Sequence, residues 1–552
     1  MPQLDTGPTP FLNVKRSVSG KSWNDRLDSA GQRIAAAIAQ QHGLSDILAR
    51  VLAGRGVLPE GAESFLNPTL RELMPDPATL SGMDVLVARL ADAISSGENI
   101  ALFGDYDVDG ASCCALMTRY LNMFGLDPEC HIPDRIFEGY GPNIAAMDKL
   151  IDGGATLIIT LDCGTASHAP IAHAKQRGAD VLVLDHHLSE GELPPADAVV
   201  NPNRSDDISG LGYLCAAGVT FMALVATNRL LRERGHETQP DLMGMLDLVA
   251  LATICDVVPL TGLNRAFVVR GVELMRKGQN KGLAALSLAA RINGPINPYH
   301  LGFLLGPRIN AGGRIGDAAM GTKLLTTQAE DEAMVLAARL DELNSERQKI
   351  EKTAVDEAVA VATEEVGDGE GPAVLVLVSE HWPPGVVGLV AARLRERFNR
   401  PAFAIAMRPD GTGAGSGRSM PGVDLGRAVV AAREAGLVAA GGGHAMAAGV
   451  TLTQAQISGF RGHLSDALNA QVAAARLSTG VSVDAAITAR TATAEFVHEV
   501  QRAGPFGTGN ANPVFALPSH RVTFAEVVGA GGHVRCTLAS ADGAKLNGIA
   551  FR

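Results

Sequence analysis

Short apolar runs punctuate the first half of the chain: "IALF" at 100–103, "TLIITL" at 156–161, "DVLVLD" at 180–185, "DAVV" at 197–200 and "DLVALATI" at 247–254. They are rich in Val, Ile and Leu and show no polar alternation, the pattern of strands covered on both faces of a parallel sheet. Helix-like segments separate them. The expectation is an α/β doubly wound domain over residues 76–325, behind a helical N-terminal segment, 1–75, with a loose polar start. Next comes a stretch without Gly or Pro, "TTQAEDEAMVLAARLDELNSERQKIEKTAVDEAVAVATEEV" at 326–366. Apolar positions 333, 336, 340, 343, 350, 354, 358 and 361 fall on one helical stripe, and Thr327 with Glu330 predicts a capping box. One long helix is expected here, bridging two domains and stopped by "GDGEGP" at 367–372.

A second α/β domain is expected over 367–472, carrying "AVLVLVS", "PAFAIAM" and Gly-rich loops. Beyond it, "VSVDAAIT", "VTFAEVVG", "HVRCTLAS" and "KLNGIAF" read as short strands of a small β-barrel over 473–552. A barrel that stopped there would be short of its last strands.

Composition narrows the class. Hydrophobic residues make up 46% and charged residues 19%, which suits a globular chain with ample core. No run reaches the ~18–20 apolar residues of a membrane span, and the N-terminus shows no apolar signal region. The seven cysteines include one adjacent pair, Cys113–Cys114, and no CxxC spacing. That reads as reduced thiols in a cytoplasmic protein. A net charge of −12 argues against a coat for duplex DNA, while leaving room for a narrow basic groove. Aromatics, at 4%, are too few for long stacking platforms.

Candidate chemistry concentrates where the apolar runs end. "GDYDVDG" places Asp105, Asp107 and Asp109 at alternate positions before Gly110. An EF-hand would need Glu at its twelfth position, where this chain has Leu116, and a helix leading in, where it has an apolar run. That reading fails. In an extended segment the three carboxylates would point the same way, and a hard divalent cation would relieve their repulsion; an isolated acidic turn is the alternative. Three further runs end alike, in Asp162, in Asp185 with His186 and His187, and in Asp256. In a doubly wound sheet, ligands bind outside the carboxyl ends of the strands, so four acidic motifs would meet at one edge. Carboxylates with neutral imidazole suit Mn²⁺ or Mg²⁺, and so many ligands suggest two ions.

In this order, "GDYDVDG", "LDCG", "DHH" and "CDVVPL" resemble the four motifs of the DHH phosphoesterase superfamily. Within it, "IPDRIFEGYGPN", "GPRINAGGRIGDA", "GPFGTGNANPVF" and "FLNPTL" are similar to the RecJ family, the single-strand-specific 5′→3′ DNA exonucleases of bacteria. The resemblance implies metal ligands at Asp107, Asp109, Asp162, His186 and Asp256, with Asp162 between two ions. Asp105 completes the first motif, either as a ligand or from behind the ligands, and His187 is expected to face the scissile phosphate or to make a structural hydrogen bond to a nearby loop. "GAGSGRSMPGVDL" and "GGGHAMAAG" resemble the DHH-associated substrate-binding domain, and the last segment resembles an OB-fold. Ser416, Arg418 and Ser419, with Arg135, are then expected to anchor the 5′-terminal phosphate. Arg308 and Arg314 would take the next phosphates or form domain-interface ion pairs. His444 would sit near the leaving nucleotide or serve structure alone.

The stretch "HWPPGVVG" departs from the family's Trp-His-Pro-Gly, which puts a role for His381 in doubt. The implied activity is two-metal hydrolysis of single-stranded DNA to 5′-mononucleotides in repair and recombination, by a monomer working with a helicase and a single-strand-binding protein. Rival readings are a DHH phosphodiesterase for short oligonucleotides or nucleotide bisphosphates, and a non-catalytic replication scaffold.

Overall fold

The computed structural model describes residues 10–135, 138–188, 191–477, 480–529 and 531–551. The chain divides into two compact units: Pro77–Asp256 with Gly271–Ser478, and Met1–Asp76 with Val257–Arg270 and Thr479–Arg552.

The first unit opens on a parallel sheet of β1 (Ile100–Gly104), β2 (Glu129–His131), β3 (Leu157–Leu161), β4 (Asp180–Leu184) and β5 (Ala198–Val200), in the order β2-β1-β3-β4-β5. Every residue of β1 and β3 is buried, which is why their sequences lack polar alternation. The order reverses beside β1, so the crevice at the carboxyl ends of β1 and β3 is a topological switch point.

One expected strand is a helix. "DLVALATI" lies in α2 (Leu246–Cys255), while α1 (Val108–Asn122) follows β1 directly. Leu246 through Thr253 are all buried. A helix covered on every side has no polar face, so its run of apolar residues looks like that of a buried strand. Leu and Ala, good helix formers, decide the matter.

Farther on, α3 (Gly306–Ile315) precedes the long helix α4 (Glu330–Val366), 37 residues in one piece, which ends at Gly367 with φ +57°. The capping box predicted at its start does not form. The N-cap is Ala329, and the Thr327 hydroxyl bonds Glu332 and the N–H of Ala329 instead. The buried stripe keeps Ala333, Leu340, Leu343, Ala354 and Ala358, but Ala337 and Ala362 replace 336 and 361. The first part of α4 packs on the end of α3: a Cβ at Gly316, just past that helix, would press on Leu343, and one at Gly312 would crowd the Asp317 carbonyl and touch Leu340. Farther along, Ala354, Ala358 and Ala362 enter the core of a second sheet beside Leu375, Val387 and Val390.

That sheet consists of β6 (Leu375–Ser379), β7 (Ala402–Met407), β8 (Thr412–Arg418), β9 (Ala440–His444) and β10 (Ala447–Thr453), ordered β9-β10-β8-β7-β6. Only β6 and β7 run parallel. Helix α5 (Val387–Phe398) lies between β6 and β7 in the chain.

In the second unit, Ser22–Asp25 pairs in parallel with Gly480–Val483, so the N-terminal segment and the last part of the chain share one structure. Ile38, Leu48, Leu52 and Ala503 form its core, and buried Asp484 binds Arg26 and Arg55. Arg521–Val528, His533–Ala539 and Lys545–Ala550 form an antiparallel sheet. Among the described residues, no helix is long and apolar enough to cross a membrane.

Candidate metal centre and phosphate cleft

The chain turns sharply after β1, and this turn places the first acidic motif. Asp105 leaves the strand, Asp107 is the N-cap of α1, and Asp109 lies in its first turn. The three are therefore not one extended row. Asp107 Oδ1 accepts from the N–H groups of Asp109 at 2.9 Å and Gly110 at 3.1 Å, as an N-cap should. Gly110 is required because a Cβ there would collide with the backbone of Asp105. Asp109 turns inward and accepts from the N–H of Ala216 at 2.7 Å and Ala217 at 2.8 Å, the start of another helix.

Asp162 follows β3 with φ +62°, a left-handed conformation uncommon for a side chain other than Gly, Asn or Asp. His186 follows β4, and Asp256 caps the C-terminus of α2. His186 Nε2 lies 3.3 Å from Asp162 Oδ1, 3.7 Å from Asp256 Oδ2 and 3.8 Å from Asp109 Oδ2.

Ligand atoms cluster in three overlapping groups: Asp105, Asp107 and Asp162; Asp109, His186 and Asp256; and Asp162, His186 and His187. Within each group they lie within 4.8 Å of one another. Burial pushes the carboxyls of Asp105, Asp162 and Asp256 well above their usual range, and neighbouring carboxylates add to the shift. The same causes raise Asp109 to about 7. Burial, followed by the charge of His187, lowers His186 to about 4, so its imidazole is neutral and free to ligate. Asp105 Oδ1 and Asp162 Oδ1 are buried without a hydrogen-bond partner. Crowded hard oxygens, a neutral imidazole and orphaned acceptors fit divalent cations such as Mn²⁺ or Mg²⁺.

Asp185 faces the other way. Its Oδ1 accepts from the N–H groups of His186 and His187 and meets His187 Nδ1 at 2.8 Å, while Oδ2 accepts from the N–H of Thr165. Burial opposes the charge of His187, but the Asp185 bond outweighs it and raises the imidazole to about 9. The Tyr140 hydroxyl lies 3.2 Å from His187 Nδ1, and the Tyr140 ring packs edge-on against both His187 and Tyr106. Tyr106 and Tyr140 were missed as site residues. Both sit inside quoted motifs, but a loop aromatic leaves no periodic signal.

Beside this cluster lie arginines from distant segments. The Arg135 guanidinium sits over the Tyr106 ring, 4.8 Å from its centre. Arg314, in α3, donates to the carbonyl of Gly385 at 2.8 Å. Arg418, closing β8, donates to Ser416 Oγ at 2.8 Å. Burial lowers Arg314 to about 10, helped by Arg135, Arg347 and Arg418; Arg418 falls through burial, then Arg135 and Arg395. Arg135, Arg314 and Arg418 thus share one field. His444, ending β9 in the lobe built on the second sheet, is lowered by burial and then by the charge of His187, which follows β4 in the lobe built on the first.

Two expected contacts go elsewhere. Arg308 binds Asp341 of α4 at 2.8 Å and the carbonyl of Leu304, the ion-pair alternative. Ser419 is buried and donates to the carbonyl of Val423 at 2.8 Å. Side chains alternate along a strand, so Ser416 and Arg418 share a face of β8, while Ser419 lies just past the strand's end. His381 is exposed and donates its backbone N–H to Ser379 Oγ, while Trp382 Nε1 donates to Glu357 of α4 at 3.0 Å.

Comparison with known proteins agrees with this layout. Residues 99–253 match the DHH family N-terminal domain, 371–474 the DHHA1 domain and 483–552 the RecJ OB domain. The single-stranded-DNA-specific exonuclease RecJ of Salmonella typhimurium is 36% identical over 483 residues, 86% of this chain and 83% of the relative. The Bacillus subtilis protein of the same name is 33% identical over 93% of this chain and 64% of the relative. The crystal structure of Thermus thermophilus RecJ with Mn²⁺ covers 96% of this chain and 73% of that one, with 28% identity and a TM-score of 0.77; its Mg²⁺ complex gives 27% and 0.72. With its acidic cluster at the sheet's switch point and its arginines alongside, the chain belongs to the RecJ family of single-stranded-DNA-specific exonucleases.

Proposed function

We propose that this chain is a metal-dependent exonuclease that degrades single-stranded DNA from the 5′ end and releases 5′-mononucleotides. The observation that carries the reading is the juxtaposition, in one unit, of the overlapping ligand groups and the Arg135–Arg314–Arg418 field. Asp107, Asp109, Asp162, His186 and Asp256 would hold two divalent cations, Mn²⁺ or Mg²⁺. When bound, such ions supply Lewis-acid stabilisation of developing charge and lower the pKa of an attacking water.

The chain's own groups do the rest. His187, held by Asp185 and Tyr140, donates a hydrogen bond to the scissile phosphate. Asp105, whose ligand atom lies within 4.8 Å of those of Asp107 and Asp162, completes the acidic cluster. Arg418, oriented on Ser416, anchors the 5′-terminal phosphate with Arg135, using the planar fork that suits phosphate oxygens. An anchor at the strand's end leaves only the first linkage within reach of the carboxylates, which sets both polarity and product size. Arg314 takes the following phosphate, and His444 faces the departing nucleotide.

The free cysteines of the chain suit the cytoplasm, where a helicase and single-strand-binding protein would supply and hand over the strand during repair and recombination. Digestion of a long, 5′-phosphorylated, 5′-labelled single strand with Mn²⁺ tests the proposal. Immediate release of labelled mononucleotide is expected. Activity confined to short oligomers, or binding without cutting, would replace it with a short-oligonucleotide phosphodiesterase or a scaffold.

A further inference from the structure

Pro298–His300 runs into a π-helical turn, Leu301–Leu305, and then directly into α3, which ends near Arg314. The turn is packed against the metal centre's own scaffold. The Cys255 thiol, next to Asp256, donates to the carbonyl of Leu301 at 3.5 Å, and a Cβ on Gly302 would touch Ile254. Leu301 and Leu305 are buried in that contact. One turn apart on the outer side, Tyr299 and Phe303 are 59% and 68% exposed, and their rings lie stacked, 5.0 Å between centres and 21° from parallel.

A single exposed aromatic is ordinary, and two rings one turn apart add little to a helix. Two parallel rings left open to water, in a chain with few aromatics, need another reason. Wide helical turns of this kind concentrate at functional sites. The eleven residue-to-residue steps from Phe303 to Arg314 span about 16 Å at ~1.5 Å each, a length that several nucleotides cover.

We infer that Tyr299 and Phe303 form a stacking surface for the bases of a single strand whose 5′ end lies in the Arg135–Arg418 cleft. This deepens the exonuclease reading and rests on it. A flat ring accepts any base, so the surface grips the strand without reading sequence. It also lets the polynucleotide advance after each cut, since stacked bases can exchange places.

The test uses the full chain in EDTA, so that nothing is cut, and the fluorescence anisotropy of 5′-phosphorylated oligothymidylates. Tyr299→Ala/Phe303→Ala and Tyr299→Leu/Phe303→Leu should each weaken binding of a dodecanucleotide about ten-fold or more, given ~1–3 kcal/mol per stacked base. A dinucleotide, too short to reach the rings, should bind both variants as it binds the wild type. A dodecanucleotide with abasic sites beyond its second position should bind the wild type as weakly as the intact strand binds the variants. Unchanged dodecanucleotide binding, equal losses at both lengths, or full affinity in the leucine variant would overturn the inference. Cleavage by the wild type with Mn²⁺ separates the two readings. If it cuts and the variants bind normally, only the stacking surface is lost. If it does not cut, the exonuclease reading is lost, while the metal-free binding still reports on the rings.

Discussion

Both ends of the first unit's parallel sheet are acidic, yet they treat their carboxylates in opposite ways. At the amino-terminal edge, Arg89 binds Glu98 at 2.7 Å and Asp180 at 2.8 Å, and Lys175 binds Asp180 at 2.8 Å and Asp197 at 2.6 Å. The Arg89 bond holds Glu98 below the usual carboxylate range, and the Lys175 bond does so for Asp180. At the carboxyl-terminal edge, Asp105, Asp109, Asp162 and Asp256 crowd together, and none of them forms an ion pair with Lys or Arg among the described residues; all are pushed up. Carboxylates are satisfied at one edge and, Asp185 with its His187 partner apart, frustrated at the other. Charge balance, not acidity, separates a structural edge from a reactive one.

The largest effect should come from Asp162→Asn. Loss of this proposed metal ligand is expected to cut cleavage about a thousand-fold or more, since metal stabilisation supplies several kcal/mol at ~1.4 kcal/mol per decade. Strand binding should be largely retained. In EDTA the same variant should melt a few degrees higher, because one buried like charge is gone and Asn tolerates the left-handed backbone. A lower melting temperature would break the comparison.

Next in size is Arg418→Ala. Charge-assisted bonds of ~1.5–3 kcal/mol correspond to a loss of about ten- to a hundred-fold in the preference for 5′-phosphorylated over 5′-hydroxyl ends. An unchanged preference would move the phosphate pocket elsewhere.

Smallest is Asp180→Asn at the opposite edge. It should lower stability by about 0.5–1 kcal/mol at pH 7 and leave cleavage intact. Because Glu98 and Asp180 are held below their ordinary values of 4.5 and 3.8, their contribution is fully present above those values and is lost as the pH falls through the lowered ones. Wild type and variant should therefore converge in acid denaturation curves. A gap that persists in acid would mean that Asp180 stabilises by packing.

Much of this was legible beforehand, for reasons that can be traced. β1, β3 and β4 were readable because strands covered on both faces must be apolar throughout. The same rule misread α2, which is covered on all sides, yet Asp256 still reached the centre because the helix's carboxyl end points to that edge. Asp185 could not be separated from its neighbours by pattern, since only the loop's curl turns it back onto His187. Arg135, Arg314 and Arg418 come from segments with no shared periodicity, and resemblance alone suggested them. Ser419 could have been set apart from Ser416 had the end of β8 been known. Tyr299 and Phe303 pass for core residues in a sequence, because nothing local shows that a helix has turned them outward.

Helix α4 makes both lobes of the first unit depend on one rod about 55 Å long at ~1.5 Å per residue. Its early turns seat on α3 and its later ones on the second sheet, so the gap between the acidic cluster and Arg418 is gauged by an uninterrupted count of peptide units. One residue inserted midway would swing one lobe by about 100° against the other, and a nuclease built this way keeps its product size as a matter of screw geometry.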